Sequence, residues 1–250
     1  MGLQERRMLS SAKGILLDWD GCVAIDNRVL PFAGKLIEQY ADRIAIVSNN
    51  STHLPCDFAD ILARQGVRVS HERIFLAGVE AVRYIATIRD IRVLLLSAPK
   101  IRRYARDLGV TLVRESPNVV LLMRDARFTY AKLEHAANAL RAGAKLVVAN
   151  ADLTHPGPRN RVVPETGALL AALLACVGEA QMHRHLIGKP GPLLFEQACA
   201  YLGVAPEAAV MIGDNPDTDG EGAMNAGIRP ILIGGSSPLR LEHLVEPTAA

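Results

Sequence analysis

Ten residues near the N-terminus, Lys13 to Cys22, restrict the possible folds more than any other stretch. An apolar run, Ile15 to Leu17, stops at Asp18 and is followed by a second aspartate, Asp20, and by Gly21. A short apolar run ended by a turn signal predicts a buried strand. Aspartate fits a pleated sheet poorly, so the strand should end at Asp18. In an open α/β sheet, the loop past a strand's carboxyl end is where ligands bind. Two carboxylates crowded there repel unless a cation or a proton lies between them. Taken alone, the stretch reads equally well as a plain turn built from Asp and Gly.

The rest of the chain repeats the strand–loop pattern. Apolar strand-like runs at 44–47, 92–96, 119–122, 145–148, 209–212 and 230–233 alternate with helical patterns at 33–40, 55–64, 78–88, 99–108, 130–141, 168–177, 192–202 and 220–226. Such alternation predicts βαβ units and mostly parallel sheets, with more strands than one modest sheet needs. At 250 residues, half of them hydrophobic, the chain suffices for one large domain or for a core with an inserted one. A net charge of +2 gives no ground for a nucleic-acid or anionic-membrane partner, and 4% aromatics argues against stacking on single-stranded nucleic acid. Cys22, Cys56, Cys176 and Cys199 form no C-x-x-C pair, which speaks against zinc and for free thiols in a reducing compartment. Residues 1–12 lack the apolar core of a secretory signal, and the longest oily stretch, Ala168 to Val177, is too short to span a bilayer. The expected location is cytoplasmic.

Four polar clusters follow apolar steps: Asp18/Asp20, Ser48-Asn49-Asn50, Lys189, and Asp214/Asp219. Parallel strands put their carboxyl ends on one edge, so the clusters can converge on one crevice. Together they suit phosphoryl transfer through an aspartyl phosphate. Asp18 is the expected nucleophile, with Asp18 and Asp214 as carboxylate ligands of Mg²⁺, which prefers six oxygens. Asp20 would offer its main-chain carbonyl to the metal and its side chain for proton transfer. Lys189 would neutralise Asp18, while Ser48 and the Asn49 main chain hold the remaining phosphate oxygens. The Ser48–Thr52 run also reads as an Asx/ST turn opening the next helix, and both readings can hold at once.

These residues carry a resemblance. Asp18-Trp19-Asp20-Gly21 resembles the first motif of the haloacid dehalogenase-like (HAD) phosphatases. Ser48 is similar to their second motif, Lys189 in Gly-Lys-Pro to their third, and Gly213-Asp214 with Asp219 to their fourth. The loop Ser48 to Ser51, the run Arg127 to Tyr130, and Asn150-Ala151-Asp152 with the later Pro164 and Gly167 resemble the NagD-like group. The resemblance implies a Rossmann-like parallel-sheet core, residues 1–73 and 182–250, interrupted by an α/β class IIA cap, residues 74–181. It implies Mg²⁺-dependent hydrolysis of a small phosphorylated metabolite, with Asp219 behind the metal's direct ligands. It also allows a homodimer through the cap.

The loop from Asn150 to Arg161 is too long for a mere connector. Asn49, Asn50, Asn150, Asp152, His155 and Arg159 are the expected substrate contacts, on the resemblance to cap loops that select substrate. Trp19 is bulkier, and Arg124-Asp125 more charged, than the resemblance leads one to expect. His183 and His185 alternate like neighbours on a strand but lack a third ligand nearby. A haloacid dehalogenase would leave Asp20 and Asp214 without a task, and a non-catalytic phosphometabolite-binding module would not need a full acid–base set.

Overall fold

The computed structural model describes residues 2–157, 161–178 and 184–245. Its chain is mixed α/β and divides into two compact units. One comprises Met1–Ser48, Pro55–Phe75 and Lys189–Ala250, the other Asn49–Leu54 and Leu76–Gly188.

The first unit is built on a five-stranded sheet in the order Arg229–Leu232, Ala209–Gly213, Gly14–Leu17, Ile44–Ser48, Ile74–Leu76. Gly14–Leu17 lies at the centre, parallel to both neighbours, with Leu17 level with Ile212 on one side and Ile46 on the other. Ala209–Gly213 and Arg229–Leu232 are also parallel. The central strand is buried along its whole length, which is why it reads as an uninterrupted apolar run rather than an alternating one. Each fully buried Leu, Ile or Val contributes about 1.5–3 kcal/mol, and Ile15, Leu16 and Leu17 are fully enclosed. The direction of strand succession reverses on either side of this strand, making its carboxyl end the topological switch point at which α/β sheets bind ligands.

Helices Pro31–Gln39, Pro55–Ala63 and Leu193–Leu202 belong to this unit. The first begins with proline, whose fixed φ suits an opening helical turn. The last ends at Gly203 in the left-handed region. Between Cys22 and Pro31, where the sequence predicts a loop, the chain forms a small antiparallel hairpin of Ala24–Ile25 and Arg28–Val29. Its two-residue turn is Asp26-Asn27, both at positive φ, the conformation that matches hairpin twist. Beyond the last strand, Leu239, Leu241 and Leu244 are buried.

The second unit has a four-stranded parallel sheet in the order Arg184–Leu186, Lys145–Val148, Val119–Leu122, Val93–Leu96. Helices Tyr130–Arg141 and Thr166–Val177 cover one face, packing Ala136, Leu140, Leu170 and Leu173 against Leu94, Leu96, Val120, Leu122, Leu146 and Val148. The segment Arg184–Leu186 falls inside the 182–250 block assigned to the core from sequence. It pairs with Lys145–Val148 instead, because a free parallel edge is available there. The loop expected from Asn150 to Arg161 is in part an antiparallel hairpin, Thr154–Gly157 with Arg161–Pro164. The β-branched Val162 and Val163 favour strand, and the prolines sit where only an edge strand tolerates them.

Candidate active site

Three adjacent parallel strands of the first unit end together. Asp18 leaves the central strand, and its main-chain N–H still donates to the carbonyl of Ile212 at 2.9 Å. Asp214 follows the neighbouring strand by one residue, and Ser48, buried, closes the strand on the other side. One ligand oxygen each from Asp18, Asp214 and Asp219 lies within 4.8 Å of the other two. Lys189 reaches into this group from its own loop. Its Nζ donates to Asp18 Oδ1 at 2.5 Å, to Asp219 Oδ1 at 2.6 Å and to the Val47 carbonyl at 3.0 Å. Lysine and both aspartates are nearly sealed from solvent.

The electrostatics follow from this burial. Desolvation, and then the charges of Asp219 and Asp214, push the Asp18 carboxyl well above its ordinary range, against the pull of Lys189. Burial and Asp219 raise Asp214 to about 6. Burial alone would weaken the lysine's hold on its proton, but Asp18 and Asp219 outweigh it and keep Nζ firmly charged. Three carboxylates thus face one fixed cation, and the group is short of positive charge. Its donor set, all hard oxygen, fits a divalent cation of the Mg²⁺ or Ca²⁺ type.

Two glycines make room for the cluster. Gly21 has φ +85°, and a side chain there would strike the carboxylate of Asp214. At Gly213 a side chain would strike Asp219. Asp219 is held on both oxygens, by Lys189 and by the main-chain N–H of Asn215 at 3.1 Å. Asn215 Oδ1 in turn accepts from the N–H groups of Asp217 and Thr218, so Asp217 takes part in a turn. Asp20 is exposed and bridges to Ala24 in the turn that follows the central strand. The Cys22 thiol is buried, and its pKa is pushed far up by desolvation and then by Asp18.

The remaining candidates lie in the second unit. Asn150, expected to contact substrate, is fully buried, and its amide is spent internally. It donates to the Asn49 carbonyl at 2.8 Å and to Thr166 Oγ1 at 3.1 Å, and accepts from the Asp152 N–H at 3.2 Å. It braces three segments. Asn50 likewise uses its side-chain oxygen locally, accepting from the N–H groups of Thr52 and His53 at 2.9 Å each. Asp152 is half-buried. His155 is half-buried and pairs with Glu165 at 2.7 Å, and Glu165 also faces Arg124 at 3.5 Å. The sequence reading missed Glu165, whose only signal was its place just before the helix at Thr166. Arg159 and His183 lie outside the described residues. His185 is exposed and stacks on Tyr84. The charged run at 124–127 is ordered by Asp125, which is buried, accepts from Lys132 Nζ at 2.6 Å and from the Arg127 N–H at 2.9 Å.

The profile of the haloacid dehalogenase-like hydrolases matches residues 15–111, and a HAD-hydrolase-like profile matches residues 186–249. Human chronophin is 30% identical over 238 residues, spanning 87% of this chain and 79% of chronophin. The chain belongs to the haloacid dehalogenase-like hydrolases, among the NagD-like phosphatases. A 5'-nucleotidase of Bacillus subtilis is 28% identical over 95% of this chain and 93% of its own length. Among solved structures, the glycerol phosphate phosphatase of Mycobacterium tuberculosis in complex with magnesium aligns with a TM-score of 0.82 at 27% identity, covering 96% of this chain and 78% of that one. This HAD hydrolase is a phosphoric monoester hydrolase, as the named activities of its relatives show.

Proposed function

We propose that the protein hydrolyses a small phosphomonoester, with Mg²⁺ bound, by passing the phosphoryl group through Asp18. The observation that carries this reading is the convergence of Asp18, Asp214 and Asp219 within 4.8 Å around the buried Lys189. Asp18, Asp214 and the main-chain carbonyl of Asp20 would hold the ion, with Asp219 keeping the lysine in place behind them. The ion, when bound, screens the repulsion between the phosphoester dianion and the carboxylate and aligns the phosphoryl group.

The chain's own groups supply the rest. Lys189 fixes one oxygen of Asp18, leaving the other to attack phosphorus in line with the leaving oxygen. Asp20, accessible to solvent, gives that oxygen its proton and later takes one from the hydrolytic water. Ser48 and the main chain beyond it donate to the non-bridging oxygens. In this reading the first unit is the catalytic core and the second the cap. The relatives' names mention nucleotides and glycerol phosphate, which supports a small phosphorylated metabolite as the substrate class. Cytoplasmic location and a homodimer through the second unit belong to the same reading. Among the described residues no helix is long and apolar enough to cross a membrane.

The test is turnover of p-nitrophenyl phosphate with Mg²⁺ and its reversible loss on chelation. Asp18→Asn should lower kcat by at least about a thousandfold with the fold intact, because an amide cannot attack phosphorus. A fluoroberyllate adduct should form on Asp18. Turnover that survives chelation, or label recovered on Ser48, would overturn the assignment.

A further inference from the structure

The turn between the two catalytic aspartates carries the chain's only tryptophan, and the reaction as described gives it no task. Trp19 is fully buried. Its ring stacks on Phe58 with centroids 4.0 Å apart and planes at 25°, and Phe58, on the helix Pro55–Ala63, is itself fully enclosed. The indole Nε1–H donates to Asn27 Oδ1 at 3.3 Å. Asn27 is at the tip of the hairpin Ala24–Val29, whose other side is tied to the same helical region: Gln65 accepts from the Val29 N–H at 2.9 Å and donates to the Asn27 carbonyl at 3.5 Å.

The main chain of Trp19 is bound to the hairpin as well. Its carbonyl accepts from the N–H groups of Val23 at 3.0 Å and Ala24 at 2.9 Å, while the Gly21 N–H donates to the Ala24 carbonyl at 2.9 Å. Asp20 bridges to Ala24 within this ring. The residue that precedes Asp20 is therefore fixed three ways: by ring stacking, by a side-chain hydrogen bond, and by the carbonyl that closes the turn.

We propose that Trp19 is a positioning residue that aims Asp20, acting through the Trp19–Asn27 hydrogen bond and the hairpin it locks. This rests on the phosphatase reading and adds a residue to it. A stiff hairpin keeps the proton donor within reach of the leaving oxygen, so esters differ in the phosphoryl-transfer step, whereas the later activation of water by Asp20 is common to all of them. An ester with a poor leaving group depends on protonation, whereas p-nitrophenolate departs without it.

The experiment compares Trp19→Phe, which keeps the stack but loses the N–H, with Asn27→Gly, which keeps the positive φ at the hairpin tip but removes the acceptor. One neutral hydrogen bond limits the expected effect to about two- to tenfold. Both variants should lower kcat/KM for an alkyl phosphate by that factor and leave kcat/KM for p-nitrophenyl phosphate within about twofold, since kcat/KM excludes the later hydrolysis that both esters share. The double variant should lose no more than either single one, since both remove the same bond. Equal losses on both esters, additive losses in the double variant, or undiminished alkyl-phosphate turnover in Asn27→Gly would overturn the proposal. A wild-type protein inert toward both esters would instead overturn the phosphatase reading on which it stands.

Discussion

At Asp214 the cost of the site is legible in a single group. Its pKa lies at about 6 in the folded chain, because burial and Asp219 disfavour its charge. For a carboxyl raised on folding, the stabilising contribution is complete below the unfolded value near 3.8 and lost as pH rises through 6. Asp18 is shifted in the same direction. The metal-free protein should therefore melt at a lower temperature at pH 7.5 than at pH 5, with Asp214 contributing on the order of 1 kcal/mol to the loss of stability. Asp214→Asn should flatten this dependence, raise the metal-free melting temperature at pH 7.5, and abolish stabilisation by added Mg²⁺. Calorimetry at the two pH values, with and without the ion, checks all three; a melting temperature that climbs with pH would contradict the assignment. Asp18, Ser48 and Asp214 were readable from sequence because each ends or directly follows a buried strand, whereas Lys189 and Asp219 stood out through the motif resemblance. The consumption of Asn150 was not, since nothing in its neighbourhood announces that Asn49 and Thr166 will occupy its amide.

Among the elements, the hairpin Thr154–Pro164 is where sequence reasoning and structure part most clearly. By sequence alone the stretch is basic, with His155, Arg159 and Arg161 against Asp152. Glu165, standing directly after it, pairs with His155 and faces Arg124, so the charge around His155 is closer to balanced. A strand pairing between residues several positions apart leaves only a weak pattern when prolines interrupt the alternation. The helices were easier, because Tyr130–Arg141 shows an unbroken apolar stripe and opens on a threonine whose hydroxyl accepts from the Lys132 N–H. If His155 reads the leaving group, His155→Ala should lower kcat/KM for the natural ester by about tenfold, roughly 1.4 kcal/mol, and leave p-nitrophenyl phosphate nearly unchanged. Steady-state kinetics on a panel of phosphorylated metabolites gives the answer, and equal losses on all esters would leave the hairpin without a role in selection.

For the molecule as a whole, the parallel α/β character was plain from the alternation of apolar runs and helical stripes. The five-stranded order was not, because it depends on which strands meet across more than a hundred residues. The thiols offer a check on the packing. Cys22 and Cys199 are buried, and desolvation raises Cys22 far above its ordinary range and Cys199 to about 11. Cys56 and Cys176 are exposed. A thiolate is the reactive form, so Ellman's reagent should titrate about two equivalents per chain under native conditions and about four in denaturant. Rapid labelling of Cys22 in the folded protein would show that the strand ends around Asp18 open more readily than their burial implies.

The position of the central strand also sets a timetable for synthesis. Gly14–Leu17 is made before both of its neighbours, and one of them, Ile44–Ser48, follows closely. The other, Ala209–Gly213, comes close to the end of the chain. Lys189, which pairs with both Asp18 and Asp219, is likewise made late. On the ribosome, the nascent N-terminal strand must wait with one edge unpaired and Asp18 lacking its cation, while the sheet of residues 93–186 has all its strands in hand. Domain-wise folding during synthesis then runs in reverse of chain order: the inserted unit can close first, and the catalytic carboxylates gather only when the last third of the chain arrives.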